Sequence, residues 1–250
     1  MQHYNKLCTE FYDLDKPSEP ADAFEFYLEY AKAAQGPILE PMCGSGRFLL
    51  PLLARGFDVD GVDASSFMLE ACRQRAARQQ LTTRSLLEQK LEELELSRRY
   101  ALAFIPAGSF GLITHEPQAR EALRRLHAAL LPRGKLVLEI DRPAFETSTS
   151  WPWGGRWLKR PDGALLVISW LGQYAASERI SYSLHRYELV IDGRVVETEM
   201  EEFNLRAYEP QEFQALLESA GFVDVKALKA FEQRAPDADD EGVVFECRRP

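Results

Sequence analysis

The sequence predicts an α/β fold: a doubly wound, mostly parallel, seven-stranded sheet with an inserted antiparallel β subdomain. Three observations predict it. Short apolar runs alternate with helix-period segments from Ile38 to Ile140. Gly44 and Gly46 punctuate the first strand-to-helix junction. After Asp141 the chain turns to β-forming runs broken by Asp162-Gly163 and Asp192-Gly193, dipeptides that favour tight hairpins.

In order, Phe11-Tyr12-Asp13-Leu14 reads as an aromatic entry segment, and residues 20–34 as a helix with Phe24, Tyr27, Leu28 and Ala31 on one face. A strand near Ile38 leads to a helix from Gly46 to Arg55 closed by Gly56, then to a strand from Val59 to Val62. Ser65 is a good N-cap for a helix carrying Met68, Leu69, Cys72 and Ala76 at helical spacing. Arg84 to Leu87 is a short strand, and Ala101-Leu102-Ala103-Phe104-Ile105 has the unbroken apolar character of a central parallel strand. Pro117 to Leu131 is a helix ended by Pro132-Arg133-Gly134, and Lys135 to Ile140 is the fifth strand. Residues 146–206 form the inserted subdomain, whose strand Arg179 to Ile191 puts Ile180, Tyr182 and Leu184 on one face and His185, Tyr187, Leu189 and Ile191 on the other.

Within the insert, Glu197, Glu199 and Glu201 alternate along a strand and read as a solvated edge. Trp151, Trp153 and Trp157, with Arg156, read as the roof of a pocket or as the insert's core. Arg206 and Tyr208 lead back to the main sheet, facing the cleft or anchoring the crossover. Pro210 opens a helix with Phe213, Leu216, Leu217 and Ala220 inward and Gly221 as its stop. Val223 to Leu228 and Gly242 to Cys247 complete the sheet around an acidic loop from Asp237 to Glu241. The main domain is thus residues 1–145 and 207–250.

Composition narrows the function. With 250 residues, 46% of them hydrophobic, the chain can bury one substantial core. A net charge of −9 argues against nucleic acid or an anionic membrane as partner and favours free small molecules. Cys8, Cys43, Cys72 and Cys247 show no CxxC spacing, and His3, His115, His127 and His185 are scattered, so neither a metal site nor a disulfide framework is expected. Reduced thiols suit the cytoplasm. No signal-peptide pattern opens the chain, and its longest apolar run, Ala164 to Leu171, is too short to span a bilayer.

The chemistry concentrates in Glu40-Pro41-Met42-Cys43-Gly44-Ser45-Gly46-Arg47 and in Asp63 at the end of the next strand. Glycines lack the Cβ that would block a ligand's approach to the backbone, and a following helix offers unpaired N–H groups. Leu49 stands where a dinucleotide fingerprint needs its third glycine, and Arg47-Phe48 cannot end a Walker loop. NAD and ATP are therefore disfavoured. An acid at the first strand end can face a ligand's amino group, while Asp63 binds a ribose diol. S-adenosylmethionine (SAM) carries both groups.

With the stretches Glu40 to Gly46, Gly61 to Leu69, Leu131-Pro-Arg-Gly-Lys135 and Ala220-Gly221-Phe222, the chain resembles the class I SAM-dependent methyltransferases, whose fold is Rossmann-like. Its antiparallel insert and aromatic lead-in resemble the small-molecule branch that includes glycine and amino-sugar N-methyltransferases. The resemblance implies SAM as cofactor and S-adenosylhomocysteine (SAH) as product. It puts the methionine moiety over Met42, Cys43, Gly44, Ser45, Gly46 and Arg47 near Glu40, and the ribose on Asp63. It flanks adenine with Ala64 and Met68, places the segment Glu88-Gln89-Lys90-Leu91 at the adenine edge with Gln89 as the contact, and puts Pro106-Ala107-Gly108-Ser109-Phe110 at the opening where methyl meets acceptor. Tyr12 is a lid candidate.

The implied reaction is in-line displacement at a sulfonium methyl, in which positioning can supply about 7 to 11 kcal/mol. A general base is needed only if the acceptor loses a proton as it attacks; Tyr12, His115, Glu139 and Asp141 are the candidates. The expectation is a methyltransferase acting on a small-molecule N or O nucleophile, the insert covering the acceptor pocket or forming a homodimer contact. A SAM-binding protein without transfer activity is the alternative. An RNA or protein methyltransferase is a third, disfavoured by acidity and by Ile105-Pro106-Ala107-Gly108 where an Asn/Asp-Pro-Pro-aromatic tetrad would stand.

Overall fold

The computed structural model describes residues 4–142, 153–240 and 242–250. In chain order the first half comprises α1 (Lys6–Asp15), α2 (Ala21–Ala33), β1 (Ile38–Pro41), α3 (Leu49–Ala54), β2 (Val59–Asp63), α4 (Ser66–Arg78), β3 (Leu86–Glu88), β4 (Tyr100–Ile105), α5 (Glu116–Ala129) and β5 (Leu130–Asp141). The second half comprises β6 (Gly154–Lys159), β7 (Leu165–Ala175), β8 (Ile180–Ile191), β9 (Arg194–Glu202), β10 (Leu205–Arg206), α6 (Pro210–Ser219), β11 (Val223–Lys229) and β12 (Gly242–Arg248).

The main sheet runs β3-β2-β1-β4-β5-β12-β11. Its first five strands are parallel, while β12 lies antiparallel between β5 and β11. This is the doubly wound, mostly parallel seven-stranded sheet that the alternating pattern predicts. Alternate residues of its strands feed the two faces: Leu39, Ile105 and Leu138 pack with α5 and α6, whereas Ile38, Phe104 and Val137 pack with α2, α3 and α4. Strand order reverses between β1 and β4, so a crevice opens there beyond the strands' carboxyl ends.

The second sheet is antiparallel, in the order β10-β8-β7-β6 with β9 also paired to β8. The β8–β9 turn has both central residues left-handed, Asp192 at φ 49° and Gly193 at φ 74°, as the Asp-Gly pair predicts. One face of this sheet, through Leu166, Ile168, Tyr187 and Leu189, buries Leu7, Cys8 and Phe11 of α1.

Several expectations are corrected. The aromatic entry segment is the helix α1, whose apolar stripe is complete only against the second sheet. The helix expected from Gly46 begins at Leu49, because residues 44–48 form turns. The helix expected to reach Leu131 ends at Ala129, and β5 absorbs Pro132-Arg133-Gly134 through an irregular register against β4. The glutamates of β9 are not a solvated edge. Glu201 is only 2% exposed and accepts from the Tyr4 and Asn5 N–H groups, Glu199 accepts from Leu7 N–H, and Glu197 pairs with Lys6. These carboxylates satisfy the orphan donors of the α1 N-terminus and oppose its partial positive charge.

Trp153 and Trp157 are 59% and 61% exposed and build neither core nor roof; Trp151 lies outside the described residues, as do His3 and Glu241. Arg206 pairs with Glu212 and Glu116, and Tyr208 is buried against Phe110 and Phe213, so both anchor the crossover. Among the described residues no helix is long and apolar enough to cross a membrane.

Candidate functional site

A cavity of about 650 Å³ occupies the crevice beyond β1, β2, β3 and β4. Of the expected residues, Tyr12, Glu40, Met42, Cys43, Gly44, Arg47, Asp63, Ala64, Met68, Gln89, Lys90, Leu91, Pro106 and Ser109 line it. Ser45 and Gly46 do not. The Ser45 hydroxyl donates to Asp13 at 2.5 Å and accepts from Arg75, tying the loop to α1 and α4. A Cβ on Gly46 would lie 2.6 Å from Cys72 Sγ, so that glycine serves packing rather than ligand approach. At Gly44 (φ 54°) the nearest atom to a built Cβ is Met68 Sδ at 3.8 Å, leaving the backbone open to the cavity.

Asp63 latches the loop. Its Oδ2 accepts from Gly44 N–H and its Oδ1 from Ser65 N–H, both at 2.8 Å. Burial raises its carboxyl above the ordinary range while the backbone donors oppose that shift. Each oxygen keeps a lone pair for a further donor. Ser65 also caps α4, accepting from Met68 N–H, and donates to the Tyr4 carbonyl at 2.6 Å.

Glu40, fully buried at the end of β1, leaves Oε2 without a hydrogen-bond partner. Burial drives its carboxyl well above the usual range, with Arg47 opposing. Arg47 is only 8% exposed, has an unpartnered Nε, and lies over the Tyr12 and Phe48 rings at 5.7 and 5.4 Å. A buried acid and a buried base, each with an unspent hydrogen-bonding atom in one cavity wall, suit a zwitterionic amino-acid head.

Gln89 departs from its expected role. Its amide bonds both ways to the Glu95 backbone, holding the turn after β3, so the side chain is committed although it lines the cavity. His115, exposed before α5, and Asp141 do not line the cavity. Glu139 is half-buried behind the wall and accepts from the cavity residue Ala107 through its N–H at 2.8 Å. Burial pushes Glu139 up to about 7.

Sequence reasoning missed Tyr4, Phe48, Val62, Ser65, Glu92, Leu112, Ile113, Thr114 and Gln118, while Glu88 and Ala107, of the segments expected at the adenine edge and at the opening, do line the cavity. Ser65 was findable, since it stands just past the carboxyl end of a strand bordering the crevice. Tyr4 carried no such signal: α1 brings it to the wall only because the second sheet holds α1.

Residues 38–134 match the family described as Methyltransferase domain. The Bacillus subtilis protein named "Putative methyltransferase YqeM" is 22% identical over 240 residues, covering 95% of this chain and 94% of that protein. A SAM-dependent methyltransferase from Clostridium acetobutylicum superposes with a TM-score of 0.78 at 16% identity, covering 98% of each chain. SAM-bound CalS10 from Micromonospora echinaspora, an amino pentose methyltransferase, gives 0.69 at 18% identity, covering 100% of this chain and 99% of that one. At these identities the superpositions establish the fold.

Proposed function

The chain carries a SAM-dependent methyltransferase domain of the class I fold, and we propose that it transfers the methyl group of SAM to a nitrogen or oxygen nucleophile of a small molecule. SAM supplies an already activated sulfonium methyl group. In our reading Glu40 and Arg47 receive the ligand's amino and carboxylate groups, and Asp63 receives the ribose diol while it latches Gly44. Met68 and Leu91 offer apolar surface to the adenine.

The single observation that carries the small-molecule reading is α1. The β9 carboxylates hold it so that Tyr4 and Tyr12 join the wall, which makes the crevice a pocket rather than a groove for a polymer. The acidic chain supports the same reading, as does the fold shared with CalS10, an amino pentose methyltransferase. Residues 146–206 then act as a subdomain that covers the acceptor pocket by way of α1. The cysteines Cys8, Cys43, Cys72 and Cys247, all free and buried, accord with a cytoplasmic setting.

Calorimetric titration with SAM, SAH and NAD tests the ligand class. Micromolar binding of the first two and none of NAD is expected; silence from both SAM compounds overturns the reading. Methyl transfer to a double-stranded RNA, but to no small amine or alcohol, would overturn the acceptor class alone.

A further inference from the structure

We propose that the outer face of the second sheet docks on the same face of a second copy of this chain, about a two-fold axis that sets Arg186 of each copy beside Glu188 of the other. This goes beyond the methyl-transfer reading and does not depend on it, because the face is turned away from α1 and the cavity.

Register defines the face. Ile168 of β7 pairs with Tyr187 of β8 and both pack on α1, so the neighbouring pairs Ser169–Arg186 and Val167–Glu188 point the other way. On that outer side the register sets Leu171 opposite Leu184, Trp157 opposite Val167 and Met200 opposite Arg186. The Arg186 guanidinium lies over the Trp153 ring at 5.7 Å, which puts that ring on the same side. Trp153, Trp157, Leu171, Leu184 and Met200 are each between 44% and 61% exposed. Among the described residues, every large apolar side chain left exposed, apart from Phe67, lies on or beside this sheet. Apolar surface concentrated in this way marks an interaction site, whereas single scattered residues do not.

Charge says what fits there. The charged residues that the paired strands place on the face are Lys159, Arg186, Glu188 and Glu202, two of each sign, on a chain whose net charge is −9. Two copies therefore meet here without the repulsion that their net charge otherwise imposes, while an anionic membrane is repelled by it. A two-fold interface buries the same patch on both copies and must be self-complementary. Arg186 and Glu188 meet that demand, since both stand on the outer side of β8 with Tyr187 between them. An axis lying between the two sheets, across the strands and level with Tyr187, runs the two β8 strands antiparallel and brings each arginine to the other copy's glutamate.

Two further observations agree. Within one chain Arg186 Nε is 3.6 Å from Glu188 Oε1, too far for a hydrogen bond, and has no partner although it is shielded from water. Ser169 Oγ, its neighbour in the register, is unpartnered as well in a residue only 6% exposed. Buried polar atoms without partners are rare in finished structures, and a carboxylate from a second copy gives the arginine one. Size is the other. A standard interface takes about 800 Å² from each partner. A tryptophan side chain offers up to about 250 Å², so two of them more than half exposed supply roughly 300 Å² of that, and the outward side chains of four strands extend the patch toward the rest. Tryptophan, methionine and arginine are also the residue types that such interfaces enrich. Two sheets stacked in this way lie about 10 Å apart, the spacing at which their side chains interdigitate.

The test is sedimentation velocity of the full chain between about 1 and 100 μM, the range in which an interface of this size separates from chance contact. The wild type should be a dimer with a dissociation constant in the micromolar range or below. Leu184→Asp and Met200→Asp, each at an outward position, should weaken association by about 30-fold or more while circular dichroism stays native. Charge reversal tests the pairing itself. Arg186→Glu and Glu188→Arg should each be monomeric alone, and an equimolar mixture of the two variants should associate, which two misfolded chains would not do. A wild type monomeric at every concentration, a dimer indifferent to both Leu184→Asp and Met200→Asp, or a mixture that associates no better than its components would each overturn the proposal. A monomer that instead binds phosphatidylcholine vesicles would also overturn it and give the face to a bilayer surface.

Discussion

Gly44 and Gly46 stand two residues apart and answer to different neighbours. Both need a left-handed backbone, but only Gly44 faces open space; Gly46 is pressed against Cys72 and Leu50. Gly46→Ala should therefore destabilise the chain by about 2 kcal/mol, the sum of left-handed strain and overpacking, which a lowered urea midpoint would register. A midpoint equal to wild type would mean that α4 can move aside. Glu139 makes a pH-dependent contribution. Its carboxyl titrates near 4.5 when free and is raised to about 7 in the fold, so the folded chain keeps a proton that the unfolded chain has released. Stability from this group is full below 4.5, falls as pH rises to about 7, and changes no further above it. Glu139→Gln, which keeps an oxygen for the Ala107 N–H, should raise the urea midpoint at pH 8 relative to its effect at pH 4; equal effects at both would deny the shift. The glycines and Asp63 were legible in the sequence because their chemistry is local. Which glycine met the cavity was not, since that depends on how α4 packs.

At the level of elements, α1 is the least locally determined part of the molecule. Ten residues are too few for a stable isolated helix, and its apolar stripe finds a partner only in a sheet built more than 150 residues later. The alternation of Glu197, Glu199 and Glu201 was plain in the sequence, yet alternation reveals which residues share a face and not what covers it. Glu201→Ala should uncap α1 at a cost of about 1 to 2 kcal/mol, speed amide exchange in residues 6–15, and weaken SAH binding because Tyr4 and Tyr12 lose their support. Faster exchange with unchanged SAH affinity would separate the helix from the cavity. By contrast, the main-sheet strands were legible to within a few residues, because buried parallel strands are short apolar runs bounded by turn residues.

Across the whole molecule, ligand and fold are coupled because the cavity wall draws on α1, α4, α5, the loop after β1 and the turn after β4. SAH at 100 times its dissociation constant should add about 2.7 kcal/mol of stability, raising Tm by roughly 5 to 10 °C in a chain of this length. NAD at equal concentration should leave Tm unchanged; an equal rise with NAD would indicate a general nucleotide pocket. The order of strands was the feature least legible in the sequence, since periodicity identifies a strand without identifying its neighbours.

That order has a consequence in time. The strand β12 slots between β5 and β11, and its Val243, Val244 and Phe245 are wholly buried there. A nascent chain on the ribosome can pair β1 to β5 early, but one flank of β5 stays open, with its amides unpaired, until residue 248 has been made. Completion of the core is deferred until β12 has been made, and for that interval the growing polypeptide presents a bare sheet edge that a chaperone, or another copy of itself, could occupy first.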